Sequence, residues 1–223
     1  MVSAFVTESL QACVVALAAA RRMLTGKARI VMVSTLFDVL GDEWFCVTAV
    51  RGLGEADVLS RLGAAGPDPL PRCPIDGVAE HFSPDSWAVR VYCPEGSGWA
   101  YVLDAFPQMG VPFREPVLKE LSRSTEAVSV WKLLDSTTRA AHARDGEILA
   151  LFDSWRFDPV SGTDPDRLNR ALERVGFFLD EPDDDFSDPA AALEAVESEF
   201  GLAVDPQEVA GPLPTLVVPV RAH

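Results

Sequence analysis

The sequence predicts an α+β domain, with a mainly antiparallel sheet of about five to seven strands and helices packed on one face. Three observations carry that expectation. Short apolar runs alternate with a period of two and are bounded by turn residues. Stripes spaced three and four apart are closed by glycine, as helices are. A chain of 223 residues that is 48% hydrophobic and 24% charged can bury a core without metal or disulfides.

The clearest change of period lies between Trp44 and Gly63. Phe45, Val47 and Ala49 alternate with Cys46, Thr48 and Val50, a strand pattern. From Glu55 onward Val58, Leu59 and Leu62 form one helical stripe that stops at Gly63. Before this unit, residues 8–24 read as a helix with Leu10, Val14, Leu17 and Leu24 on one side, and 30–33 as a short strand. We therefore divide the chain into an N-terminal helical extension, 1–31, and a single α+β domain, 32–223. The apolar run Ala12 to Ala20 has Glu8 before it and Arg21-Arg22 after it, the reverse of a signal peptide.

Residues 64–84 hold Pro67, Pro69, Pro71 and Pro74, which no central strand tolerates. Trp87 to Cys93 and Trp99 to Asp104 flank Pro-Glu-Gly-Ser-Gly98 as a β-hairpin. Glu115 to Leu121 is a short helix, and a three-strand meander follows over 127–131, 137–143 and 147–152. Its middle member, Thr138-Arg-Ala-Ala-His-Ala143, suits a helical turn equally well. Asp164-Pro165-Asp166 opens a helix as an acidic cap with proline in the first turn, ending at Gly176. Asp188-Pro189 repeats the device for a helix ending at Gly201. After a turn over 206–210, the proline-punctuated strand 213–220 is expected at a sheet edge.

The runs Phe45 to Leu53, Glu55 to Ala64, Val117 to Ser122, Thr125 to Val130, Asp164 to Leu168 and Pro189 to Ala195 occur in a recognisable order. Together they resemble an uncharacterised, mainly actinobacterial family, Domain of Unknown Function sixty-four sixty-one, over roughly residues 44–212. The resemblance implies an α+β domain and no established activity. The chain departs from the family at Trp131-Lys-Leu-Leu-Asp135 and at Ser161-Gly162-Thr163.

A formal charge of -15 argues against nucleic-acid or anionic-membrane binding, because such affinity comes largely from Lys and Arg. Cys13, Cys46, Cys73 and Cys93 are scattered, without metal or redox spacing, which predicts reduced thiols and a cytoplasmic protein. His81, His142 and His223 stand in no nucleophile motif, and the run Asp183-Asp184-Asp185 lacks the spacing of a Ca²⁺ loop. No metal and no cofactor is expected. The candidate binding residues are Arg51, Asp104 and Asp153, each ending a strand, and the aromatics Trp99, Trp131 and Trp155. The expected function is a non-enzymatic binding or interaction protein, immunity-like in kind, with a protein partner or a small neutral or hydrophobic ligand. The alternative is a cofactor-independent enzyme acting on a small hydrophobic substrate.

Overall fold

The computed structural model describes residues 34–219 apart from 42, 65–69, 76, 79–85, 134–136, 157–159 and 179–185. The chain divides into Met1–Met32 and Val33–His223. The first unit lies outside the described residues, and with it the helix expected over 8–24. His81, Asp183 to Asp185 and His223 lie outside them too. Along the chain the elements are α1 (Thr35–Leu40), β1 (Phe45–Arg51), α2 (Glu55–Arg61), β2 (Arg72–Cys73), β3 (Ser86–Tyr92), β4 (Trp99–Asp104) and α3 (Glu115–Leu121). There follow β5 (Glu126–Lys132), β6 (Thr138–Arg144), β7 (Glu147–Asp153), α4 (Asp166–Arg174), α5 (Asp188–Phe200), α6 (Pro206–Ala210) and β8 (Leu213–Pro219).

The strands form one antiparallel sheet in the order β2-β8-β3-β4-β1-β5-β6-β7, with β1 in the middle. The fold is α+β as expected, and the sheet has eight strands rather than five to seven. The additional strand is β2, two residues long and set among prolines, where a periodic signal has no length in which to appear. Expected at an edge, β8 instead lies second in the order. Only Leu213 and Pro214 pair with β2, and Thr215 N–H donates to Pro71 O at 2.8 Å. The ambiguous segment 138–144 is strand β6, paired on both sides. Buried alanines at 140, 141 and 143 serve helix or strand alike, so tertiary pairing decides.

Each face of the sheet carries its own core. Phe45, Val47 and Ala49 pack with Leu168, Leu172, Leu193 and Val196, so the long helices α4 and α5 share one face with α1 and α6. Val50 packs with Val58, Leu62, Val89, Val102 and Leu121, so the shorter α2 and α3 cover the other, and helices flank both faces rather than the one expected, because both faces of the strands are apolar. The acidic cap expected at Asp164 is not what starts α4: Pro165 occupies the N-cap position without a side-chain cap bond. Gly201 ends α5 at φ 67°, where its N–H donates to Glu197 O. Among the described residues no helix is long and apolar enough to cross a membrane.

Candidate functional site

The ends of β4, β1, β5 and β6 meet along one rim of the sheet, and their register assembles the most concentrated ionic cluster. Arg51 pairs with Trp99 across β1 and β4, and Glu126 pairs with Arg144 across β5 and β6. Glu126, only 5% exposed, collects four donors on its carboxylate. Oε1 accepts from His142 Nε2 at 2.9 Å, Arg144 Nη2 at 2.6 Å and Arg167 Nη1 at 2.8 Å. Oε2 accepts from Arg51 Nη1 at 3.3 Å.

Burial alone would raise the Glu126 carboxyl. The hydrogen bonds from Arg144 and His142 and the charge of Arg167 outweigh it and bring the pKa down to about 2. A carboxylate so held accepts but carries no proton near neutrality, so His142 Nε2 bears the hydrogen in this contact. Burial holds His142 below the usual imidazole range, opposed by Glu126. From α4, Arg167 stacks over Phe200 at 4.1 Å and reaches Glu199 Oε1 at 2.9 Å, while Arg174 also pairs with Glu199. The cluster therefore ties the rim of the sheet to α4 and α5. It is an ionic hub.

Beside this hub, past Trp99 and Phe200, an open groove lies between the end of β3 and the connection from α5 into α6. Tyr92, Cys93, Pro94 and Glu95 form one wall, and Ala203 to Glu208 the other. Among the described residues its lining holds three carboxylates, Glu95, Asp205 and Glu208, and no Lys, Arg or His. Asp205 Oδ1 caps α6 by accepting from Gln207 N at 2.8 Å and Glu208 N at 3.3 Å. Glu208 Oε2 accepts from Tyr92 OH at 2.6 Å, and burial, with Glu208, pushes that phenol up to about 12. Pro94, Val204 and Pro206 give the groove apolar surface between the charges.

The opposite rim holds the other expected residues. Trp131 pairs with Cys46 and with Arg139, and Arg139 pairs with Asp153 in register and by a 3.0 Å ion pair. Asp104 Oδ1 accepts from Phe106 N at 2.9 Å and Oδ2 from Val111 N at 3.2 Å, which folds the 105–111 segment back over the sheet. Burial raises Asp104 to about 6, against those two bonds. Trp131 Nε1 donates to Pro107 O at 2.7 Å, locking the same segment. Trp155 stands 73% exposed, its N–H donating to Asp153 Oδ1.

The six expected residues thus fall at two rims. Arg51 and Trp99 stand together, with the Arg51 guanidinium 5.9 Å from the Trp99 ring centre. Asp104, Trp131, Asp153 and Trp155 lie at the other rim. Trp87 and Trp99 enter different cores, so these tryptophans do not share a sheet face. Sequence reasoning missed Glu126, Arg144 and Arg167, and placed His142 in no nucleophile motif without assigning it a partner. The available signal was the position of Arg51, Glu126 and Arg144 at strand ends, where cross-strand neighbours of opposite charge are expected to pair. Among the described residues no group of His, Cys, Asp and Glu is arranged to hold a metal ion.

A model of a family of unknown function, DUF6461, matches residues 32–205, beginning before the span that the motifs marked and ending short of its limit. No curated protein and no solved structure matches the chain.

Proposed function

The chain belongs to DUF6461, a family of unknown function, and from its groove we propose that it is a non-enzymatic binding protein that receives a basic segment of a protein partner. The observation that carries this reading is the open groove between Tyr92–Glu95 and Ala203–Glu208, whose charged side chains are all acidic. Openness suits an extended segment better than an enclosed small molecule. Cationic side chains would meet Glu95, Asp205 and Glu208, and their aliphatic stems would lie on Pro94, Val204 and Pro206. A net charge of -15 adds long-range attraction for a basic partner. An immunity-like role, in which a basic protein is held and neutralised, fits this chemistry. Free thiols at Cys46, Cys73 and Cys93 suit a cytoplasmic setting.

The test uses fluorescent extended peptides of equal length bearing Lys and Arg, neutral, or Glu side chains. Anisotropy should show saturable binding of the cationic peptide alone. The double variant Glu95→Lys with Gln207→Lys, one charge reversed and one positive charge added, should weaken it by about tenfold, as should a rise in salt to several hundred millimolar. Equal binding by the double variant overturns the groove as the site. The competing enzyme reading would rest on Asp104, raised to about 6 by burial beside Cys46. Both Asp104 oxygens are already engaged by backbone N–H groups, which favours the binding reading.

A further inference from the structure

Among the described residues, the guanidinium groups of the hub outnumber the carboxylates they touch. Four guanidinium groups, Arg51, Arg144, Arg167 and Arg174, share two carboxylates, Glu126 and Glu199, within ion-pair distance. Two of the four are spread across the solvent side of one carboxylate. Arg51, 64% exposed, touches Glu126 through Nη1 alone, and Arg144, 45% exposed, through Nη2 alone. Each keeps the rest of its fork outside that contact. Their backbones are fixed: Thr125 Oγ1 donates to Arg51 O, and Arg144 is paired with both Glu126 and Glu147 in register.

From this geometry we propose that Arg51 and Arg144 form an oxyanion site, taking a carboxylate or phosphate group on the solvent side of Glu126. Guanidinium forks match such groups in two-point contacts, and Glu126 holds both forks in place beforehand, which reduces the ordering cost of binding. Arg167 behind the carboxylate offsets the repulsion between Glu126 and an incoming anion. Asp145 and Asp164 act on Arg144 through space, and Glu147 stands opposite it. These three carboxylates lie on the Arg144 side of the site, whereas Arg51 lies against the Trp99 ring. This inference is independent of the acidic groove, since its residues and its ligand charge are different.

The experiment is a nuclear magnetic resonance titration of the arginine Nε–Hε signals of the full chain, with inorganic phosphate and separately with acetate at constant ionic strength. Saturable shifts at Arg51 and Arg144 are expected, with the exposed Arg123, in the turn after α3 and paired with Glu120, unmoved. R51Q should weaken binding at the Arg144 signal by about fivefold or more. Response to phosphate alone assigns the phosphate class, and response to acetate as well assigns any oxyanion. Shifts that never saturate, or that are equal at Arg51, Arg144 and Arg123, overturn the site. If R51Q loses its fold, R51K supplies the check: it keeps the charge but not the fork, and undiminished affinity there overturns the two-point contact.

Discussion

At Glu126 one carboxylate answers three guanidinium groups and an imidazole, and its value lies in what would be left behind without it. Glu126→Gln strands the surrounding positive charge beside a neutral amide. Half-exposed Arg51 and Arg144 are partly screened by water, so the expected loss is about 2–3 kcal/mol in urea unfolding. The pH dependence has a definite sign. A folded pKa of about 2, below the ordinary 4.5, means that the carboxylate contributes fully above about pH 4.5 and loses its contribution as pH falls toward 2. The stability difference between wild type and E126Q should therefore narrow as unfolding is measured at successively lower pH. Asp104 has the opposite sign, since its raised pKa favours the folded state as pH falls through about 6 toward 3.8. Comparison with E126Q removes that shared background.

Among the elements, the segment from Asp104 to Phe113 shows how side chains hold a piece of chain that has little regular structure. Two short 3₁₀ turns, Pro107–Met109 and Val111–Phe113, meet at Gly110, whose φ is 53°. A Cβ there would lie 2.4 Å from the Trp131 ring. Backbone conformation and indole contact thus both require glycine. Gly110→Ala should cost about 2 kcal/mol and alter near-ultraviolet circular dichroism around Trp131, with far-ultraviolet signal retained. A far-ultraviolet loss equal to the near-ultraviolet one would show instead that this segment is needed for the whole sheet. The groove depends on a similar arrangement in α6, where Asp205 caps the helix while facing Glu208 and Tyr92. For that reason Glu95 and Gln207, which make neither the cap bond nor the Tyr92 bond through their side chains, are the positions chosen for substitution by lysine.

Over the whole molecule, a net charge of -15 sets a background of self-repulsion on which the local ion pairs are superimposed. Raising NaCl from about 10 mM to about 300 mM should therefore raise Tm by a few degrees, because screening relieves long-range repulsion more than it weakens the buried Glu126 contacts. A falling Tm would mean that the ion pairs dominate. The same charge balance frames both binding readings: a basic segment is drawn to the molecule as a whole, whereas an oxyanion is received only where arginines outnumber their carboxylates.

The local order of the chain was legible without coordinates. Period-two runs gave β1, β3, β4, β5 and β7, and glycine stops gave the ends of α2 and α5. These signals are readable because hydrophobic period and turn chemistry act between near neighbours. Arg51 and Trp99 were identifiable as candidates by type, but their adjacency came from register. Glu126 illustrates the boundary: to a sequence it is one acid among many, and it becomes the centre of the hub only when strands and helices from residues 51 to 167 converge on it. The sequence by itself determined the elements and the overall charge. Tertiary structure alone decided strand order, the two-sided covering of the sheet, and which charges are buried together, because pairing between distant segments depends on complementary surfaces rather than on local pattern.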